Sequence, residues 1–256
     1  MLSIFSSLFQ LFKRKLEDWV FPLRMRFGRK ILYQYGPRQI VQVSRHQLIK
    51  GPCNRQELEA MQYAASQTSI CLPSIHRIYD RGGKLFIAME FIQGDMLDKL
   101  WPTLTEGKKE SIVAEIWVNL RQLHACQPPT PLGSIVAASI SGGPVRDGAF
   151  GVGDHGPHES GPFIREAEFI DHLKAIPDLI QDNLFPKRVG FVYGDLALRN
   201  IVLKRDGHLC FLDWENAGWW PLYWERIKWH FSSFGEPPDF VELMDKISAS
   251  QRLTTT

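Results

Sequence analysis

From Val192 the chain reads Val192-Tyr193-Gly194-Asp195-Leu196-Ala197-Leu198-Arg199-Asn200, and a little further on Phe211-Leu212-Asp213-Trp214-Glu215. An Asp, an Asn five positions later and a second Asp thirteen beyond that are the residue types a phosphoryl-transfer site of the kinase kind requires. A carboxylate must meet the acceptor hydroxyl, and an Asn oxygen and a second carboxylate must hold magnesium on the nucleotide phosphates. Asp195 is the candidate base, and Asn200 and Asp213 are the candidate metal ligands.

Local pattern brings the three together. Ile201 to Leu203 and Leu209 to Leu212 are short apolar runs flanking Lys204-Arg205-Asp206-Gly207-His208, and Asp-Gly between such runs predicts a hairpin. Asn200 then lies at the mouth of one strand and Asp213 at the exit of its partner, on the same end.

Gly194-Asp195-Leu196-Ala197-Leu198-Arg199-Asn200, then Leu212-Asp213-Trp214-Glu215-Asn216-Ala217-Gly218-Trp219-Trp220-Pro221 and Tyr223-Trp224-Glu225, resembles the aminoglycoside phosphotransferase family, in particular its large fungal branch. The resemblance runs from about Ile31 to about Trp229 and is most specific from Asp195 to Glu225. It implies an α+β protein-kinase-like fold with a small antiparallel-sheet N-lobe and a mainly helical C-lobe. It also implies ATP and Mg2+ as cofactors, and transfer of the γ-phosphate to a hydroxyl of a small molecule. One position departs from the family pattern: a His usually stands two residues before the catalytic Asp, where this chain has Tyr193. That substitution keeps open a catalytically weak or inactive nucleotide-binding pseudokinase.

The elements that must position these groups follow the same order. Gln39 to Ser44 and Gln47 to Lys50 read as a hairpin turned at Arg45-His46, and Asn54-Arg55-Gln56-Glu57 resembles a capping box that opens a helix. Ile75 to Tyr79 and Lys84 to Phe91 read as a second hairpin through Gly82-Gly83. Boundaries are expected at 1–30 for an amphipathic segment, 31–92 for the nucleotide-binding lobe and 93–256 for the catalytic and acceptor-binding lobe. Ile112, Ile116, Leu120 and Leu123 repeat at helical spacing and predict a buried helix from about Glu106 to Ala125.

In the small lobe, Lys50 is expected to grip the nucleotide and Glu59 to orient it, with Glu57 as a nearby competitor. Met89-Glu90-Phe91-Ile92 fits a hinge, and Glu90 and Ile92 are the candidate adenine-facing positions. No Gly-x-x-x-x-Gly-Lys-Ser/Thr occurs, which excludes a P-loop enzyme, and no glycine lies between Gly36 and Gly51. The turn at Arg45-His46 must then cradle phosphate. After Asp213 the chain lacks the long activation segment and Ala-Pro-Glu of a protein kinase, which favours a small acceptor over a peptide.

Two further segments carry readings of their own. From Pro128 to Pro162 the composition shifts to Gly, Pro, Ser and Asp, the mark of a functional or mobile loop. This loop and the tryptophan-rich helix are expected to form the acceptor pocket over Asp195. Asp154, His155 and His158 within it could be imagined as a metal site, but no fourth ligand is evident. Five of the eight tryptophans lie between Trp214 and Trp229, as a core or as a cation–π box for a choline or lipid-head-group substrate.

Composition bounds the rest. At 44% apolar residues the 256-residue chain can build a substantial core, and a net charge of +2 argues against nucleic acid as a partner. Cys53, Cys71, Cys126 and Cys210 are scattered, which fits reduced thiols and a cytoplasmic location. The first 36 residues hold seven Lys or Arg against two acids. Ile4, Leu8, Leu11, Phe12 and Leu16 form a helical stripe beside Lys13-Arg14-Lys15, giving residues 1–30 a weak peripheral membrane contact as one reading and packing on the small lobe as the other.

Overall fold

Alternating apolar residues build the first sheet, because a half-buried strand turns every second side chain inward. The computed structural model describes residues 16–31, 38–129, 132, 135–153, 156–157, 159–173, 188–230 and 235–252. Most of the N-terminal stripe and the Asp154, His155 and His158 group lie outside these described residues. The chain divides into two units, Met1–Cys53 with Ser74–Phe91, and Asn54–Pro73 with Ile92–Thr256.

The first unit opens with helix α1 (16–27), followed by β1 (Arg29–Ile31), β2 (Gln39–Ser44) and β3 (Gln47–Cys53). β4 (Ile75–Arg81) and β5 (Lys84–Glu90) complete it. The strands form one antiparallel sheet in the order β1-β2-β3-β5-β4. Both expected hairpins are present. The second turns through Gly82 and Gly83 at φ 62° and 75°, a conformation glycine adopts without steric cost, with Asp80 accepting from the Gly83 amide at 2.9 Å. Phe21 of α1 packs against Tyr79 and Phe86 at ring separations of 4.7 and 5.2 Å.

The second unit begins with α2 (Arg55–Gln67), which the sequence assigned to the small lobe. Aromatic packing explains its place: Tyr63 meets Phe191 and Trp219 edge-on at 5.1 and 5.3 Å. The expected capping box does not form. Asn54 stands at the N-cap without a side-chain cap, because its Oδ1 accepts from Arg146 at 3.1 Å. The unit continues through β6 (Gly94–Met96), α3 (Leu97–Leu100) and α4 (Glu106–Ala125). Ile112, Ile116, Leu120 and Leu123 on α4 are all buried, as their spacing predicts.

The described residues of the glycine-rich stretch form short strand pairs. The stretch contains β7 (Val145–Arg146), β8 (Val152–Gly153), β9 (Gly156–Pro157) and β10 (Glu159–Ser160), pairing as β7 with β10 and β8 with β9. Val145, Phe150 and Phe163 anchor it to a core shared with Phe169 of α5 (Glu166–His172), Trp220 and Trp224. β11 (Val189–Val192) pairs with β14 (Gly218–Pro221), while β12 (Ile201–Lys204) lies between β13 (Leu209–Phe211) and β6. α6 (Tyr223–His230) and α7 (Pro238–Arg252) close the unit.

The cation–π box is not what the tryptophans make. Trp214, Trp219, Trp220, Trp224 and Trp229 are each 0% exposed. Every indole N–H donates internally: to Phe211 O, Ile140 O, Asn216 O, Asp147 Oδ2 and Asp245 Oδ1 respectively. Trp220 and Trp224 stack at 5.1 Å, so these rings are core and cannot wall an acceptor pocket.

Candidate active site

Asp195 follows β11 across a turn that only glycine fits. Gly194 has φ 77°, and a Cβ there would lie 2.5 Å from Asn216 O. Glu225 of α6, 1% exposed, fixes this turn by accepting from the Tyr193 amide at 2.9 Å and the Gly194 amide at 3.2 Å. Two buried backbone donors thus receive a charged acceptor.

Asn200 sits in the single helical turn Leu198–Asn200, directly before β12. Its Nδ2 donates to Asp195 O at 3.0 Å and to Asp195 Oδ2 at 2.8 Å, while Arg199 reaches Asp195 Oδ1 at 3.1 Å. The hairpin brings Asp213 to the same end: Ile201 pairs with Phe211, and the Leu212 amide donates to Asn200 O at 2.8 Å. Asp213 is the only non-glycine residue with positive φ among the described residues, at 51°. Asp tolerates that region better than most side chains, and such a conformation is characteristic of functional turns.

Tyr193 is fully buried, and its hydroxyl donates to the Leu212 carbonyl, the residue before Asp213. One side chain therefore ties the turn carrying Asp195 to the turn carrying Asp213. Burial, reinforced by Asp195 and Asp213, pushes its phenol well above the ordinary tyrosine range, so it stays a neutral donor.

Burial also raises the Asp195 carboxyl to about 6, against the opposing pull of Lys228 and Arg199 and with the support of Asp213 and Glu215. Its side chain is 17% exposed. A carboxylate titrating near neutrality with a face still open is suited to accept a proton.

Glu225 and Lys228 carry no role in the sequence reading, and Asp147 counts there only among dispersed acidic candidates near the glycine-rich loop. Lys228, one turn later on α6, places Nζ 2.9 Å from both carboxylate oxygens of Asp147. Asp147 is 0% exposed and also accepts from Ala149 N and Trp224 Nε1. Burial pulls the Lys228 ammonium down, but Asp147 and Asp195 outweigh it and hold the group charged. A lysine among Trp224, Ile227 and Trp229 was a visible anomaly, although nothing local named its partner.

The small-lobe candidates fall in both units, Lys50 and Glu90 in the first and Glu59 and Ile92 in the second. Lys50 lies on β3 between Ile40 and Ile87 and is 4% exposed. Glu59 pairs with Arg55 at 3.3 Å and keeps 23% of its side chain exposed, whereas Glu57 is 1% exposed. Glu90 ends β5, its amide donating to Ser74 O and the Phe91 amide to His46 O. The boundary between the units falls between Phe91 and Ile92, inside the expected hinge.

Asn200 and Asp213 fit a magnesium ion chemically. With its Nδ2 committed to Asp195, the Asn200 amide offers Oδ1, and a carbonyl with a carboxylate is a hard-oxygen donor pair that leaves further positions for phosphate and water. Among the described residues no cluster of three or more His, Cys, Asp or Glu is arranged to hold a metal by itself.

The sequence profile of the phosphotransferase enzyme family matches residues 40–243, and the chain belongs to that family. No curated protein matches the chain. Among solved structures it is similar to a mutant aminoglycoside 2′-phosphotransferase-IIIa in its GDP complex, at 13% identity and a TM-score of 0.61, over 95% of this chain and 84% of that one. It is also similar to aminoglycoside phosphotransferase APH(4)-Ia, at 11% identity and a TM-score of 0.60, over 94% and 83%. A third is the streptomycin–ATP–APH(2″)-IIa ternary complex, at 13% identity and a TM-score of 0.57, over 93% and 80%. The fold is thus the kinase-like α+β fold of the aminoglycoside phosphotransferases.

Proposed function

We propose that this chain is an ATP-dependent phosphotransferase that moves the γ-phosphate to a hydroxyl of a small molecule. The observation that carries the reading is the convergence of Asp195, Asn200 and Asp213 at one end of the β12–β13 hairpin, with the Asn200 amide oriented by Asp195 itself. Asp195 orients the acceptor hydroxyl and takes its proton as the oxygen bonds to the γ-phosphorus and ADP leaves. Arg199 holds the carboxylate in place and is itself braced by Glu236 at 3.7 Å.

Asn200 and Asp213 would hold magnesium, which supplies charge neutralisation on the phosphates when bound. Lys50 is assigned to the nucleotide phosphates, with the orienting acid on α2 at Glu59 or, as burial favours, at Glu57. In the hinge the Glu90 and Phe91 amides are already committed within the first unit, so a donor for adenine falls to Ile92.

Two observations weigh on the alternatives. Tyr193 makes the internal bond between the two acidic turns that an architectural residue at this place should make, which supports an active enzyme over an inactive relative. Burial of all five clustered indoles removes the argument for a choline-type box. The test is a screen of hydroxyl-bearing metabolites with ATP and Mg2+, read as ADP release and phosphorylated product, with Asp195→Asn as the control. Absence of turnover on every acceptor despite magnesium-dependent nucleotide binding would support the pseudokinase instead.

A further inference from the structure

Helix α1 has two faces of opposite kinds. Inward, Phe21 packs on Tyr79 and Phe86, and both acids of the helix are turned onto the sheet. Glu17 bonds Arg77, and Asp18 reaches Arg77 and Arg81 at 3.0 Å each. Outward, Leu16, Trp19, Leu23 and Phe27 are 48%, 73%, 46% and 74% exposed. Their spacings of three, four and four residues put them on one stripe about 80° wide. A helix that packed only to fill the sheet would carry polar residues there.

The charges flanking this stripe are of one sign. Arg26, Arg29 and Lys30 are exposed, and the Arg26 guanidinium lies 5.5 Å over the Phe27 ring, whereas Arg24 turns inward to Tyr79. The sequence sets Lys13, Arg14 and Lys15 immediately before Leu16. With Glu17 and Asp18 drawn inward, the outward face offers Trp, Phe and Leu within a cationic rim. That combination matches the anionic interface of a lipid bilayer, where aromatic rings settle at headgroup depth and Lys and Arg meet acidic lipids. No described helix is long and apolar enough to cross a membrane, so the contact would lie in the interface plane.

We propose that the outward face of α1 docks this protein on an anionic lipid surface through Leu16, Trp19, Leu23 and Phe27, with Arg26 beside the stripe and Arg29 and Lys30 exposed just beyond the helix. The inference is independent of the phosphotransfer reading. It is tested by sedimenting the full chain with phosphatidylcholine vesicles, with and without about 30% phosphatidylserine, the acidic lipid supplying the attraction.

The chain should sediment with the acidic vesicles and much less with the neutral ones, and Trp19 emission should shift to the blue, a shift missing from Trp19→Phe. Trp19→Ser with Phe27→Ser should abolish sedimentation, and Arg26→Glu with Arg29→Glu should weaken it by at least roughly fivefold for each charge. Unchanged circular dichroism and unfolding midpoints verify that the variants are folded. No sedimentation of the native chain, equal sedimentation with neutral vesicles, or full retention by the variants would overturn the proposal. So would a concentration-dependent dimer that the Trp19 and Phe27 changes abolish without any lipid binding, which would give the face to a second copy of the chain.

Discussion

The Tyr193 hydroxyl bonds the Leu212 carbonyl, and through that contact the turn carrying Asp195 is locked to the turn carrying Asp213. Tyr193→Phe leaves the Leu212 carbonyl without this donor. It should cost about 1–3 kcal/mol of stability in denaturant titrations. Turnover should fall together with magnesium-dependent nucleotide affinity, because Asp213 loses its brace. Tyr193→His, which restores a donor, should sit between the two. A Phe variant as stable and as active as the native chain would make the bond irrelevant.

Asp195→Ala should reduce phosphoryl transfer by about 10² to 10⁴-fold with nucleotide binding preserved. Asp213→Ala should weaken nucleotide binding in magnesium but not in its absence. Calorimetric titration with and without the metal distinguishes the two roles.

The acid limb of kcat/KM should lie near pH 6, where Asp195 titrates. The sign follows from the role: the base works as the anion, so activity falls as pH drops through its raised pKa. Lys228 favours that anion, so Lys228→Met should move the limb to higher pH. A limb unmoved by the substitution would exclude electrostatic contact between them.

Removing one partner of the Lys228 and Asp147 pair strands a buried charge, while removing both does not. Lys228→Met or Asp147→Asn alone should cost about 3–5 kcal/mol, and the double variant should recover much of that. Since Asp147 anchors the glycine-rich segment, acceptor KM should change in these variants more than ATP affinity does. Additive losses in the double variant would show that the pair is not coupled.

On α2, Glu57→Gln should impair transfer more than Glu59→Gln, because Glu57 is buried and the Glu59 carboxylate is engaged by Arg55. Lys50→Met should impair it more than either. The reverse order for the two glutamates would restore Glu59 as the orienting acid.

What the sequence disclosed was local. The β12–β13 hairpin, helix α4 and both hairpins of the first sheet follow from period and turn chemistry over a few residues, and the Asp195, Asn200 and Asp213 constellation came with them. What stayed hidden depends on distant partners. Asn54 looked like a cap until Arg146, ninety-two residues away, took its oxygen. Asp147 looked like one more loop acid, although Lys228 and Trp224 make it a buried anchor. The tryptophans were legible as a cluster but not as a core, since only packing tells a satisfied indole from one awaiting a ligand. Helix α2 changed unit for the same reason, as Tyr63 finds its aromatic neighbours far along the chain.

The uneven burial of the tryptophans gives the protein a built-in optical reporter. Of eight indoles, Trp19 alone is exposed, at 73%, and the other seven are no more than 7% exposed. A collisional quencher such as acrylamide would therefore reach essentially one fluorophore, on α1 in the first unit, while the shielded emission reports the integrity of the second. Quenching and wavelength shifts can then be assigned to a single helix without labelling, and loss of the shielded component during unfolding would time the second unit separately.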